Sequence, residues 1–189
     1  MGRPFHFPVD CRHGRNQEET ALKYIALLRG INVGGSGLLP MKDLASLCEA
    51  LGFESVRTYI QCGNVVSDSK HPEPKVKALL EHALEKRMGK KVPVIVRTHA
   101  ELRRVLSGNP FADKEPAKVG IAFLDAAPPA NLLDKVVAPG GEQVHPGERE
   151  IYIYFPIGQG RSKLKMPLDP PTTVRNANTV ARLAAMSES

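Results

Sequence analysis

The chain has 189 residues, 42% of them apolar and 24% charged, and its formal net charge is +6. This composition is typical of a globular, soluble protein that buries one sizeable core or two small ones. It excludes a membrane-spanning chain, because no apolar run approaches the roughly 20 residues that a bilayer-crossing helix needs.

The N-terminal residues predict no folded element. Residues 1–19 contain Arg, His and Pro without a continuous apolar stretch, so they do not match a secretory signal peptide. We therefore expect residues 1–22 to form a flexible extension outside the fold. The three cysteines include no CxxC pair, and an odd number of cysteines fits a reducing cytoplasm, which is the location we predict.

The first predicted elements are a strand, a glycine-rich loop and a helix. An apolar run from Lys23 leads into Arg29 and then into a loop that carries four glycines and ends at Gly37. A helix follows, with Pro40 in its first turn and Gly52 at its end. A strand that leads through such a loop into a helix presents backbone N–H groups to an anion, so this segment predicts a binding site.

The rest of the first half predicts a hairpin, a helix and a strand. Short β-prone runs at 56–60 and 65–67 flank a four-residue turn. A helix over 74–88 and a strand over 92–97 follow. Residues 23–97 thus predict the order β-α-β-β-α-β, which is that of a ferredoxin-like, or split βαβ, sandwich.

Residues 98–189 predict a second α+β half. A capping box formed by Thr98 and Glu101 opens a short helix at the boundary. The elements expected after it are a strand at 119–124, a helix between 128 and 136, a hairpin of strands at 143–145 and 150–155, and a helix that begins near Asn176. This order is the first unit without its last strand. We expect the two ferredoxin-like halves to pack into one two-lobed body with a cleft between them.

Four clusters of polar residues are candidates for a ligand-binding site. They are Arg29, Asn32, Gly34 and Gly35 in the first loop, Gln61 and Asn64 in the hairpin turn, Arg161 and Lys163 in a second glycine loop, and Arg175 and Asn176 at the start of the last helix. Arginine offers a planar fork suited to phosphate or carboxylate, and a helix N-terminus favours an anion. The first loop nevertheless lacks the Gly-Lys-Ser/Thr of a P-loop. Each cluster also has a purely structural interpretation, because glycine and asparagine suit tight turns and helix caps.

Positive charge is concentrated in the segments that carry these clusters. The net charge is +5 over residues 23–97 and +3 over 159–189, whereas residues 98–158 carry −2. An anionic partner, a nucleotide or a nucleic acid, is one interpretation of this distribution. An ordinary solubilising surface is the other.

Five separated segments of the chain share a resemblance to one protein family. They are YIALLRGINVGG at 24–35, the stretch from Gly52 to Val66, LEHALEKRMGKKVPVIVRT at 80–98, YIYFPIGQGRSKL at 152–164 and TTVRNANTVARL at 172–183. Together, over residues 23 to about 186, they resemble a bacterial family of unknown function, domain-of-unknown-function family 1697. The resemblance implies a two-lobed α+β protein related to ferredoxin-like folds, without an established activity. The chain differs from the usual family pattern at Cys62, where Ser is usual, and at Ala177, where Trp is usual. If that Trp stacks on a ligand in relatives, its replacement changes affinity or specificity here.

The sequence therefore predicts a binding module whose basic cleft takes a nucleotide or a nucleic acid. An enzyme acting on a small phosphorylated or carboxylated metabolite is the first alternative, but no paired carboxylates and no nucleophile with a base identify catalytic residues. A protein-interaction scaffold is the second alternative. The six histidines are scattered without metal-ligand spacing, so we predict no metal and no cofactor.

Overall fold

The computed structural model describes residues 20–32, 38–168 and 172–188. Within these ranges the chain forms eight β-strands and four α-helices. The strands are β1 (Leu22–Leu28), β2 (Glu54–Tyr59), β3 (Asn64–Ser69), β4 (Val94–Thr98), β5 (Val119–Leu124), β6 (Gln143–Pro146), β7 (Glu150–Tyr154) and β8 (Thr172–Asn176). The helices are α1 (Met41–Ala50), α2 (Glu73–Met88), α3 (His99–Ser107) and α4 (Ala177–Met186).

The strands form two four-stranded antiparallel sheets with the same internal order. The first sheet is ordered β2-β3-β1-β4, and the second is ordered β6-β7-β5-β8. In each sheet the strand that comes first in the chain lies between the third and the fourth. Ile25 of β1 is opposite Arg97 of β4, and Ile121 of β5 is opposite Arg175 of β8. The fold is therefore α+β, as predicted, and the two arginines occupy equivalent positions in their sheets.

The two sheets pack face to face through an apolar core. Successive side chains of a strand point to opposite faces, so β1 sends Ile25 and Leu27 toward the second sheet and Tyr24 and Leu28 toward α1 and α2. The central core joins both sheets with α3 and α4, and its buried members include Ile25, Leu27, Val66, Ile95, Leu102, Val105, Ile121, Phe123, Val180 and Leu183. The halves are thus joined by packed side chains. Among the helices of the described ranges, none has the length and apolarity that crossing a bilayer requires.

The helix predicted between residues 128 and 136 is wrong. This stretch contains a single 3₁₀ turn at Leu133–Lys135, with Leu132 buried and Leu133 half exposed. The segment is confined between a proline pair at 128–129 and Pro139. A helix of that length would leave most of its terminal N–H and C=O groups without partners. The outer face of the second sheet is covered instead by Leu132, which lies in the turn, and by Leu164, Met166 and Leu168.

The second half also contains a last strand that the predicted order lacked. Strand β8 pairs with β5 along its whole length and is followed at once by α4. Its residues Thr172, Thr173 and Val174 are β-branched, which favours extended chain over the helix start expected there. The predicted start of the last helix is confirmed, because Asn176 is its N-cap and its Oδ1 accepts the N–H of Thr179 at 2.8 Å.

The remaining predicted elements are present, with small differences at their boundaries. The capping box is confirmed, since Thr98 Oγ1 accepts the N–H of Glu101 while the Glu101 carboxylate accepts the N–H of Thr98. Strand β1 begins at Leu22, one residue inside the extension predicted for 1–22. Helix α2 ends at Met88, and its C-cap is Gly89, whose φ of 67° suits a residue without a side chain.

Replacing Asn176 by Ala will lower the free energy of unfolding by about 1 kcal/mol, because the N–H of Thr179 loses its acceptor. Asn176→Asp is the matched control, since aspartate keeps the acceptor and its charge suits a helix N-terminus. Urea unfolding followed by far-ultraviolet circular dichroism measures both variants, because the chain has no tryptophan for fluorescence. Equal losses in the two variants would contradict the capping role.

Candidate functional site

Arg175 crosses from the second sheet to the first and is only 9% exposed. All five N–H groups of its guanidinium donate to protein acceptors, the full number that the group offers. The acceptors are the carbonyl oxygens of Leu28 (2.8 Å), Cys62 (3.0 Å) and Val174 (3.0 Å), Oδ1 of Asn64 (2.6 Å) and Oγ1 of Thr173 (2.7 Å). Three of these acceptors belong to the first half, so Arg175 ties the end of β1 and the turn before β3 to the second sheet.

This geometry corrects the expectation that Arg175 presents its guanidinium to a bound anion. No N–H group is left for a direct hydrogen bond to a ligand. The positive charge of Arg175 is not neutralised by its hydrogen bonds, because all five acceptors are neutral. Burial lowers the pKa of Arg175 below its ordinary value, and the Cys62 side chain offsets part of that effect. The positive charge of Arg175 is therefore buried without a carboxylate among its hydrogen-bond acceptors.

Asn32 joins the first loop to the hairpin turn. Its Nδ2 donates to the carbonyl oxygens of Leu39 (3.0 Å) and Gln61 (2.9 Å), and its Oδ1 accepts the N–H of Leu39 at 2.7 Å. The predicted site residues Gly34 and Gly35 lie outside the described residues. Asn32 thus fixes the chain on both sides of residues 33–37 and holds it against the turn that contains Gln61.

The hairpin turn packs directly against the end of β1. Asn64 is fully buried, and its Nδ2 donates to the carbonyl oxygen of Tyr59 at 2.9 Å. Gly63 has a φ of 74°, and a Cβ there would lie 2.5 Å from the Ile31 side chain and 2.9 Å from that of Leu28. Only glycine fits such a close approach at a positive φ.

The backbone of Ile60, in this turn, is strained. Three non-glycine residues of the described ranges have a positive φ, and two of them are Asn32 (55°) and Ile60 (50°). A positive φ is a genuine outlier for a β-branched residue, and Ile60 is also 44% exposed. Strained residues of this kind cluster at binding and catalytic sites. We call residues 28–32 and 60–64, with Arg175 beneath them, the Arg29 surface, because Arg29 is its exposed cation.

The other two predicted clusters lie elsewhere or serve another role. Arg161 and Lys163 are exposed on a segment that packs against residues 137–142. Ser162 Oγ donates to Glu142 Oε1 at 2.5 Å in that contact, and Leu164 packs on the outer face of the second sheet. Arg175 lies on the inner face of the same sheet. The single cleft lined by all four clusters is therefore not formed, and the side chain of Asn176 is used as a helix cap.

Arg97 makes the reciprocal crossing, from the first sheet to the second, and is 1% exposed. Its guanidinium donates to the carbonyl oxygens of Val96 (2.7 Å), Arg149 (2.8 Å) and Leu124. Leu124 ends β5 as Leu28 ends β1, and Val96 precedes Arg97 as Val174 precedes Arg175. Arg97 was not among the predicted site residues, although Val-Arg followed by a capping Thr or Asn occurs before both α3 and α4.

The two arginines differ in the charges around them. Burial lowers the pKa of Arg97, and the neighbouring charge of Arg149 lowers it further, whereas three glutamates act in the opposite direction. Arg149 Nη2 lies 2.6 Å from Glu73 Oε1, and its Nη1 lies 3.0 Å from Glu101 Oε1. The hydrogen bond from Arg149 to Glu73 raises the pKa of Arg149. Arg97 thus belongs to a network in which carboxylates balance the positive charge.

A metal centre is not apparent in the part of the chain that the structure describes. Within it, no group of three or more His, Cys, Asp or Glu side chains is arranged to hold a metal ion. The candidate site is therefore organised by arginine, asparagine and backbone carbonyl groups.

Comparison with known proteins supports this description of the fold. The sequence pattern of a family described as protein of unknown function, DUF1697, matches residues 22–152, and the chain belongs to that family. A conserved bacterial protein from Streptococcus pneumoniae has a similar structure, with a TM-score of 0.71 and 20% sequence identity over 88% of this chain and 98% of that one. A search of curated proteins found no match. At this identity the structural likeness concerns the fold alone.

Replacing Arg175 by Met will lower the free energy of unfolding by about 3 kcal/mol or more. The acceptors on Leu28, Cys62 and Asn64 lose their donor, and each of the two buried ones, on Leu28 and Asn64, costs about 1–3 kcal/mol when left unpaired. Arg175→Lys will have an intermediate effect, because an ammonium group cannot reproduce the planar fork. The exposed Arg182→Met serves as control in urea unfolding. A loss below about 1 kcal/mol for Arg175→Met would show that the crossing does not hold the sheets together.

Proposed function

We propose that the protein binds an anionic ligand, most simply a nucleotide, at the Arg29 surface. The observation that carries this proposal is the buried charge of Arg175, whose five hydrogen-bond acceptors are all neutral. Buried charges in proteins are ordinarily paired with an opposite charge. An anion on the surface above Arg175 would provide that opposite charge.

The expected electrostatic gain is large enough to matter for binding. An anion roughly 8 Å from the guanidinium gains about 2 kcal/mol at an effective dielectric constant of about 20. Interactions with a buried charge are also screened less by salt than those between exposed charges. Arg175 therefore contributes to affinity without touching the ligand.

Exposed groups of the Arg29 surface supply the direct contacts in this proposal. Arg29 offers a guanidinium fork for phosphate oxygens. The Gln61 side chain has both a donor and an acceptor for a base or a sugar, and it is exposed next to the strained Ile60. With Arg29 as the exposed cation, the surface suits a mononucleotide better than the several phosphates of a nucleic acid.

We also propose that each half is a ferredoxin-like unit, with a boundary near residues 97–98, and that the protein is cytoplasmic. The identical strand orders β2-β3-β1-β4 and β6-β7-β5-β8 support the first proposal. In the second half, extended chain and a 3₁₀ turn occupy the place of a helix. The free, exposed thiol of Cys62 supports a reducing location.

Replacing Arg29 by Ala will weaken nucleotide binding about 10-fold, the effect of losing roughly 1.4 kcal/mol. Isothermal titration calorimetry with mono-, di- and triphosphate nucleotides measures this change. Thermal unfolding provides a second readout, because a ligand at 100 times its dissociation constant adds about 2.7 kcal/mol of stability.

Two variants control for charge alone. Arg87→Ala removes an exposed arginine of α2, and Arg161→Ala removes one from the separate segment near residue 142. We expect both to bind nucleotide as the unmodified protein does. Equal weakening by all three variants, or no binding by any nucleotide, would refute the proposal. A steep salt dependence that grows with oligonucleotide length would indicate a nucleic acid instead.

A further inference from the structure

A cavity of about 290 Å³ opens beside Arg97, between α3 and the hairpin of β6 and β7. Its lining includes the charged side chains of Arg97, Arg104, Arg149, Glu101, Glu148 and Glu150. Tyr152 is also part of the wall, and its hydroxyl donates to the carbonyl oxygen of Val105 at 2.9 Å. This cavity shares no lining residue with the Arg29 surface.

Two arginines of this cavity, Arg97 and Arg149, have N–H groups without an acceptor among the described residues. Among the described residues, Arg97 makes three hydrogen bonds, which leaves its Nε–H and one N–H of Nη1 unmatched. The equivalent N–H groups of Arg175 bind Asn64 and Thr173, and the position that corresponds to Thr173 is the apolar Ile95. Arg97 lines the cavity, so these N–H groups are donors that an acceptor group in the cavity could use.

Arg149 provides a second, independent observation of the same kind. Its two terminal nitrogens are engaged by Glu73 and Glu101, but its Nε is buried and has no partner within the described chain. Buried N–H groups of native proteins almost always have an acceptor, and because Arg149 and Arg97 both line the cavity, an acceptor group bound there could serve both residues.

The charge balance of the cavity limits the class of ligand that can supply the acceptor group. Three arginines, three glutamates and one histidine, His145, line it, and Glu73 adds a further negative charge through Arg149. A bound phosphate with two negative charges would therefore give the cavity an excess of negative charge. A ligand that carries one carboxylate and one ammonium group preserves the balance.

Arg104 and Glu148 form a suitable pair of groups at the edge of this cavity. Their charged atoms are 4.0 Å apart, and their side chains are 64% and 83% exposed. An exposed ion pair at this distance contributes little to stability. Glu148 is consequently available to accept an ammonium group.

We propose that this cavity binds a zwitterionic α-amino acid or dipeptide. The carboxylate accepts from the unmatched N–H groups of Arg97 and Arg149, and the ammonium group donates to Glu148. The volume suits a ligand of this size. The site is separate from the nucleotide site proposed above, and either site can exist without the other.

Calorimetric titration of the full chain with the twenty amino acids and a set of dipeptides tests the proposal. We expect at least one to bind with a dissociation constant below about 1 mM, equivalent to roughly −4 kcal/mol. Its N-acetylated and carboxamide derivatives will bind about 10-fold more weakly, because each lacks one of the two charges. Binding by inorganic phosphate or a neutral sugar in place of these ligands would overturn the assignment.

Exposed residues provide variants that do not disturb the fold. Glu148→Gln will weaken binding of the zwitterion about 10-fold. Two control variants, Glu49→Gln on the distant helix α1 and Arg29→Ala, will not change the affinity for the zwitterion. Circular dichroism confirms that each variant is folded. Unchanged binding by Glu148→Gln, or no binding by any amino acid or dipeptide up to about 10 mM, would refute the proposal.

Discussion

The reciprocal crossing of Arg97 and Arg175 is the interaction on which the arrangement of the two sheets depends. Apolar contact between the sheets supplies most of the favourable free energy, but it has no direction and fixes no angle. Each guanidinium binds the carbonyl oxygen that ends the first strand of the opposite sheet, at Leu28 or Leu124. Burying a guanidinium costs several kcal/mol unless its hydrogen bonds form, so displaced sheets would be heavily penalised. The arginines thus convert a non-specific apolar contact into one specific packing.

The two arginines occupy equivalent positions, but they differ in what their surroundings lack. Arg175 lacks an opposite charge, and Arg97 lacks hydrogen-bond acceptors. Arg175 has a full set of hydrogen bonds, yet all of its acceptors are neutral, so its charge remains to be balanced. Arg97 has three glutamates nearby, yet two of its N–H groups lack an acceptor in the described chain. The difference arises because equivalent positions of the two halves carry different residues. Asn64 of the first half corresponds to Glu150 of the second, and Ile95 of the first half corresponds to Thr173 of the second. One repeated framework therefore supports two different proposals, an anion site at one place and a zwitterion site at the other.

Local patterns in the sequence predict most of this fold and little of its central interaction. Apolar periodicity, prolines and glycines identify every α-helix and seven of the eight strands of the described ranges. They fail where a short apolar run between prolines resembles a helix, at 128–136, and where Thr172–Asn176 resembles only a helix start. Three of the five partners of Arg175 lie more than 100 residues away in sequence, so no local pattern indicates them. The repeated Val-Arg before a capping residue was the available signal for the pair.

This framework gives a structural meaning to Cys62 and Ala177, where the family resemblance leads us to expect Ser and Trp. Cys62 contributes its carbonyl oxygen, not its thiol, to the contact with Arg175, so serine or cysteine at this position preserves the same hydrogen bond. Ala177 is buried in the central core beside Val180 and Ala184, at the first turn of α4. A larger residue there would have to be accommodated by the packing between the sheets and α4. The absence of an aromatic side chain at this position therefore concerns core packing, and it leaves the exposed groups of the Arg29 surface unchanged.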